Sequence, residues 1–142
     1  MTITHDAQAP QSARERTLTQ LDHARLSRLL DSKRHAGETL ADTLDLSDLV
    51  DPRDVPANVV TMNSRVVLAE EGRDHEQELT LCYPEQAEPA AGRVSVLSPV
   101  GSSLLGAQVG RTVEWTLPDG APRRARVLSL AYQPEAAGDL LR

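Results

Sequence analysis

Hydrophobic positions recur with a helical period between residues 17 and 51 and with a strand-like alternation after residue 59. Residues 1–16 have no such period and are largely polar, so they are predicted to form a disordered N-terminal segment. Residues 52–58 contain two prolines, which is typical of a stiff linker. The pattern therefore predicts a helical segment over 17–51, a linker over 52–58 and a β-rich domain over 59–142.

The helical segment predicts two helices joined by a short turn. Thr19 and Asp22 form a capping-box-like pair at the start of a first helix over 20–34. The apolar face of this helix consists of Leu21, Leu26, Leu29 and Leu30. Residues 35–37 break the pattern, and a second helix is predicted over 38–50 with an apolar face of Leu40, Leu44, Leu46 and Leu49. Because the turn is so short, the helices are expected to form an antiparallel hairpin.

The remainder of the chain predicts an antiparallel sheet crossed by one short helix. The strand-like runs are 59–62, 64–71, 76–84, 92–99, 111–118 and 125–132. Glycines and prolines separate these runs, and the segment around residues 100–110 is predicted to be a short helix closed by Gly106. The fold class is therefore α+β, with a short N-terminal antiparallel helical hairpin (a coiled coil) followed by the sheet domain.

The composition of the chain excludes several classes of protein function. The chain has 142 residues, 15 Lys and Arg against 21 Asp and Glu, and a formal net charge of −6, so direct nucleic-acid binding is not expected. One cysteine excludes an internal disulfide framework and a cysteine-rich zinc site. The N-terminus lacks the apolar core of a signal peptide, and no apolar stretch approaches the length of a membrane span. A cytoplasmic location is expected.

The residues offer no catalytic or metal site. Residues 101–106 have the glycine spacing of a P-loop, but Ala107 and Gln108 stand where Lys and Ser or Thr are required. Cys82 lies mid-strand among apolar neighbours, as a buried inert thiol would. The four histidines are scattered without the spacing of metal ligands: His5, His23, His35 and His75. No catalytic residue, metal or cofactor is therefore predicted.

Two charged features have open interpretations. An aspartate falls at every third position through Asp42, Asp45, Asp48, Asp51 and Asp54. This row is either a solvated face or an acidic surface for a basic protein partner. The hairpin tip combines both charges in Asp31, Lys33, Arg34, His35 and Glu38. Since the two cations interrupt the carboxylates, metal chemistry at the tip is not expected.

Four separate strings carry a family resemblance. They are residues 59–66 (VVTMNSRV), residues 98–110 (SPVGSSLLGAQVG), residues 113–120 (VEWTLPDG) and residues 132–139 (YQPEAAGD). Together they resemble the Gre family of bacterial RNA polymerase factors, and within it the branch that regulates nucleoside diphosphate kinase. The resemblance covers about residues 17–142 in order.

This resemblance implies a C-terminal FKBP-like domain and a shortened coiled coil that approaches the secondary channel of RNA polymerase. It implies contact with the β′ subunit at the channel rim through Ser98, Pro99, Val100, Gly101, Leu104 and Leu105. From the residues alone, Ser98 and Pro99 form only a turn and the two leucines belong to the core. We expect 98–101 at the surface and at least one of the leucines in the core.

The chain departs from the transcript-cleavage factors in ways that change the expected function. Its predicted helical arms span only about 20 Å at 1.5 Å per residue, and its tip lacks an acidic pair. The expected function is a non-enzymatic transcription regulator that competes with Gre-type factors, affecting nucleoside diphosphate kinase levels indirectly without stimulating cleavage. Two alternatives remain: a module for another cytoplasmic partner, through the acidic row, and a degenerate prolyl isomerase, although the chain has no Phe.

Overall fold

The computed structural model describes residues 16–32 and 38–139, which form a mixed α+β fold. The helices are α1 (Gln20–Ser32), α2 (Glu38–Leu46) and α3 (Pro99–Leu104). The strands are β1 (Thr17–Thr19), β2 (Asp48–Val50), β3 (Arg65–Glu70), β4 (Gln77–Cys82), β5 (Arg93–Ser95), β6 (Thr112–Thr116) and β7 (Pro122–Tyr132).

Five strands form the main sheet in the order β5-β4-β3-β7-β6. The central strand β3 pairs antiparallel with β4 and with the long strand β7, which also pairs antiparallel with β6. The register between β3 and β7 shifts twice, between Arg65 and Val66 and between Val67 and Leu68. Such irregularities increase the local twist of a sheet, so it curls around the short helix α3.

The first helix starts where the sequence predicts. Thr19 caps α1, because its hydroxyl accepts a hydrogen bond from the backbone N–H of Asp22 at 3.0 Å. Leu26 is fully buried, and Leu29 and Leu30 pack against the core. His23 Nε2, in the first turn of α1, lies 3.1 Å from the carbonyl oxygen of Leu44, near the end of α2. The start of α1 therefore lies beside the end of α2, as in an antiparallel pair.

The second helix is shorter than predicted. It ends at Leu46, and Asp48–Val50 instead forms β2, which pairs in parallel with β1. Leu40 and Leu44 are buried as predicted, whereas Leu46 and Leu49 are 46% and 45% exposed. Leu46 lies within α2 but two positions after Leu44, which puts it on the side of the helix opposite the buried face. Leu49 lies beyond the helix and is placed by the strand β2.

Two other expectations about the sheet are corrected. The run 59–62 contributes only an isolated bridge between Val59 and Gln108, because a turn begins at Met62. The sheet is not wholly antiparallel, since β5 pairs in parallel with β4. Residues 83–92, which include two short 3-10 helices, return the chain so that β5 runs in the direction of β4.

One hydrophobic cluster connects the helices to the sheet. It contains Leu18, Leu26, Leu40 and Leu44 from the N-terminal elements together with valines and leucines of the sheet and α3. Arg16, which the prediction placed in the disordered segment, is buried and bonded to the end of α3. The rest of that segment lies outside the described residues. None of the described helices is long and apolar enough to cross a membrane.

Candidate functional site

The loop that opens α3 is held by a serine cap. Ser98 Oγ accepts a hydrogen bond from Gly101 N at 3.1 Å and donates one to the Ser95 carbonyl at 2.7 Å. Pro99 occupies the first turn of the helix, where its missing N–H has no cost. Ser102 Oγ donates to the Ser98 carbonyl at 2.6 Å, which closes the loop from the other side. This loop is therefore fixed in shape before any partner arrives.

Gly101 is required by close packing. A Cβ built on Gly101 would lie 2.0 Å from the carbonyl oxygen of Ser95, well inside van der Waals contact. The backbone of α3 thus packs directly against the backbone at the end of β5. Gly101 is buried, so the structure gives it a packing role and no exposed surface.

Arg16 holds the other end of α3. Its guanidinium donates to the carbonyl oxygens of Ser103 at 2.7 Å and Leu105 at 2.9 Å. These carbonyls lie at a helix C-terminus, where backbone acceptors lack intrahelical partners and a cation is favourable. Arg16 was missed by sequence reasoning because a lone arginine before the helical period gives no local signal.

The six residues predicted to bind a partner separate into two groups. Pro99 is exposed, and Ser98 and Val100 are half-buried at the surface. Leu104 and Leu105 have 0% exposure and belong to the core. Gly101 is buried as well. The surface that can touch a partner is therefore the loop 98–100, which we call the α3 loop.

Of the predicted hairpin-tip residues, Lys33, Arg34 and His35 lie outside the residues that the structure describes. Asp31 belongs to the end of α1, and Glu38 begins α2. The aspartate row is distributed over three elements. Asp42 and Asp45 lie exposed on α2, Asp48 lies exposed on β2, and Asp51 caps a 3-10 turn over Pro52–Asp54. The row is therefore not one continuous helical face.

A polar junction, not predicted from the sequence, connects α1 to the sheet. Asp22 Oδ2 accepts a hydrogen bond from the backbone N–H of Met62 at 3.1 Å. The neighbouring Thr61 Oγ1 donates to Glu135 Oε1 at 2.6 Å. Gln133 Nε2 donates to the carbonyl oxygens of Pro56 and Val59 at 2.8 and 2.7 Å. Two of the family-like strings, 59–66 and 132–139, therefore meet here.

Burial sets the electrostatics of this junction. Asp22 is 2% exposed, and desolvation raises its pKa to about 6 despite the opposing hydrogen bond from Met62. The charge of Glu135 adds to the rise, and Arg25 opposes it. Burial also raises the pKa of Tyr83 to about 12, with the nearby charge of Asp22 contributing. Asp22 is therefore a structural carboxyl that titrates close to neutrality.

A cleft beside the sheet is lined mostly by polar residues. It has a volume of about 500 Å³ and is lined by Asn63, Thr80, Cys82 and Arg93 with residues 85–88, none of which is aromatic. An adjoining hollow of about 270 Å³ includes Tyr132. Arg93 pairs with Glu88, and burial raises the pKa of the Cys82 thiol. The described residues contain no group of three or more metal-binding side chains.

The fold and these strings define a family of bacterial transcription factors. The family model described as "Transcription elongation factor, GreA/GreB, C-term" matches residues 55–132, more than half of the chain. The chain belongs to this family. The "Regulator of nucleoside diphosphate kinase" of Escherichia coli K12 is 40% identical over 128 residues, covering 87% of this chain and 94% of that protein.

Two further relatives agree with this assignment. GreA of Chloroherpeton thalassium is 38% identical over 85 residues, covering 60% of this chain and 54% of GreA. The solved structure of the "Prokaryotic transcription elongation factor GreA/GreB from Nitrosomonas europaea" has a TM-score of 0.69 and 36% identity, covering 82% of this chain and 99% of that one. These relatives are regulators and elongation factors, and this chain is likewise a Gre-like regulator, not an enzyme.

Proposed function

We propose that this protein is a non-enzymatic transcription regulator that binds bacterial RNA polymerase at the rim of the secondary channel. The observation that carries the proposal is the α3 loop, a rigid surface within the family-matched region that exposes Pro99. The loop contacts the β′ subunit in this proposal. Leu104 and Leu105 do not touch the partner, because they are buried in the core, where their packing holds the α3 loop in position.

Rigidity matters because a preformed loop loses little conformational entropy on binding. The α3 loop is bonded at Ser98, closed by Ser102 and backed by the Gly101 contact with Ser95. Its exposed part is small and apolar, with Leu97 and Val100 half-buried beside Pro99. A compact apolar knob of this kind fits a shallow pocket on a protein partner.

In this proposal the two helices form the short coiled coil of a Gre-type factor and the sheet forms the FKBP-like domain. The 13 residues of α1 extend only about 20 Å at 1.5 Å per residue. Such a helix pair occupies the channel entrance without delivering carboxylates to the polymerase active centre. Competition with Gre-type factors, without stimulation of transcript cleavage, is then the mechanism.

This mechanism needs affinity for the polymerase and overlap with the binding site of Gre-type factors, but no reactive group. An effect on nucleoside diphosphate kinase follows indirectly, through transcription. A polymerase-binding role also places the protein in the cytoplasm.

The test is binding of immobilised core RNA polymerase by the wild type and by Pro99→Asp. Aspartate is favourable in the first turn of a helix, so this change should leave α3 folded while placing a charge on the apolar knob. We expect saturable binding by the wild type and a dissociation constant at least about tenfold weaker for the variant. Pro118→Asp is the matched control, because Pro118 is exposed on a different loop.

Circular dichroism of both variants checks that folding is retained. Failure of the wild type to bind at low and moderate salt would remove the proposed function. Equal binding by the wild type and Pro99→Asp would keep the polymerase as partner but assign docking to another surface.

A further inference from the structure

The end of α2 and the strand β2 carry an unusual exposed apolar pair. Leu46 and Leu49 are the large hydrophobic residues with high exposure in the described chain, at 46% and 45%, whereas Leu40 and Leu44 of the same helix are buried in the core. Only two residues separate the two exposed leucines, at the junction of α2 and β2. Exposed apolar patches on small proteins mark contact sites.

The same place has an open strand edge. In the described chain β2 pairs only with β1, in a sheet of two strands. Asp48 N donates to the Arg16 carbonyl at 3.0 Å, and alternate residues of a parallel ladder face the partner strand. The N–H and C=O of Leu49 therefore point away from β1. An edge with free donors and acceptors can accept another strand.

Carboxylates surround this edge. Asp42, Asp45 and Leu46 have helical spacing of three and four and so share one face of α2, and Asp48 continues the charge onto β2. Asp42, Asp45 and Asp48 are exposed and enter none of the ion pairs found in the described residues. Asp51, by contrast, is bonded to Arg53. The edge thus combines apolar contact, backbone hydrogen bonding and unneutralised negative charge.

We propose that β2 is a docking edge for an extended, positively charged segment of a partner protein. The segment pairs with the backbone of Leu49, packs apolar side chains on Leu46 and Leu49, and places its cations against Asp42, Asp45 and Asp48. The charge identifies the occupant. A nucleic acid is repelled, and a second copy of this edge would bring its own exposed carboxylates against Asp42, Asp45 and Asp48. This docking edge is independent of the α3 loop and of the proposed function.

The probe is a fluorescein-labelled peptide of seven residues that alternates Lys and Val, titrated with the full chain and followed by fluorescence anisotropy. We expect saturable binding, and no binding of the same peptide with Glu in place of Lys. Asp42→Asn/Asp45→Asn/Asp48→Asn should weaken binding about tenfold, as the loss of three exposed charge contacts implies. Leu49→Pro, which removes the outward N–H without removing a bond to β1, should weaken it at least as much.

The matched control is Asp74→Asn/Glu76→Gln/Glu85→Gln, which removes three exposed carboxylates elsewhere and changes the net charge equally. Its affinity should stay within about twofold of the wild type. In ¹⁵N-edited spectra of the wild type, the amide of Leu49 should shift on addition of the peptide.

Equal weakening by the two triple variants would overturn the proposal in favour of non-specific attraction. Absence of saturable binding by the wild type would also overturn it. Normal binding by a folded Leu49→Pro, together with an unshifted Leu49 amide, would exclude strand addition at β2.

Discussion

Asp22 has two structural roles, one through its backbone and one through its side chain. Its backbone N–H completes the cap of α1, and its carboxylate accepts the Met62 N–H that connects α1 to the sheet. Burial raises its pKa from 3.8 to about 6, so the folded protein binds a proton more tightly than the unfolded chain. The stability that this protonation provides is full below about pH 4 and is lost as the pH rises through 6.

Replacement of Asp22 by Asn should remove this pH dependence. The amide oxygen of Asn can still accept the Met62 N–H, but it carries no charge at any pH. The unfolding free energy of Asp22→Asn relative to wild type should therefore rise by about 2 kcal/mol between pH 4 and pH 7. Urea unfolding across this range measures the difference, with Asp74→Asn as an exposed control; parallel profiles for Asp22→Asn and wild type would contradict the assignment.

Gly101 gives a second prediction at the scale of one residue. Because an added Cβ would collide with the Ser95 backbone, Gly101→Ala should lower the unfolding free energy by about 3 kcal/mol. Pro99→Ala, at an exposed position in the same helix, should change it by less than about 1 kcal/mol. Thermal denaturation compares the stabilities of the two variants. Similar midpoints would mean that the backbone around Gly101 can shift to accept a Cβ at little cost.

At the scale of elements, α3 depends on a residue far away in sequence. Arg16 donates to two carbonyl oxygens at the end of α3, so Arg16→Ala leaves buried acceptors unpaired. We expect a loss of about 3 kcal/mol in unfolding free energy. Arg53→Ala, which breaks an exposed pair with Asp51, should change the unfolding free energy far less than Arg16→Ala does. Equal losses in urea unfolding would show that the cap on α3 contributes little.

The helices show where the local sequence pattern was sufficient to predict secondary structure. Leucine spacing predicted α1 and the first two turns of α2, because burial of one face repeats every 3.6 residues. It failed at Leu46 and Leu49, which continue the leucine pattern but are exposed. Leu46 is helical but lies on the side of α2 opposite Leu44. Leu49 lies in β2, and the parallel pairing of that strand with β1, 31 residues earlier at Thr17 and Asp48, leaves no local signal.

At the scale of the whole molecule, the helices and the sheet share one core and one polar junction. The cluster of buried residues runs from Leu26 and Leu40 into the sheet, and Asp22 fixes the start of α1 against Met62. The helix pair is therefore held against the sheet by packing and by a hydrogen bond. The proposed docking to RNA polymerase requires such a fixed orientation, because it uses the helix pair and the α3 loop together.

The proposed competition makes a prediction for transcription itself. Added to arrested elongation complexes, the protein should not accelerate transcript cleavage, and it should reduce the cleavage stimulated by a GreA factor in a concentration-dependent manner. Pro99→Asp should lose this inhibition, because its docking surface is damaged, while Pro118→Asp should retain it. Cleavage stimulated by the protein alone would contradict the proposed mechanism.

Local sequence determined the helix starts, most strands and the short helix α3, because capping, alternation and glycine signals act over a few residues. The resemblance carried by four strings indicated the family, which the family match and the similar relatives confirm. Docking by the α3 loop and by the hairpin tip stays a prediction.

The tertiary structure alone decided which members of these patterns are accessible. It buried Leu104 and Leu105, left Pro99 exposed, and brought Arg16 to the end of α3. It also joined Thr61 to Glu135, 74 positions apart. Burial and long-range hydrogen bonding depend on how elements pack, and a short window of sequence contains no information about its neighbours in space.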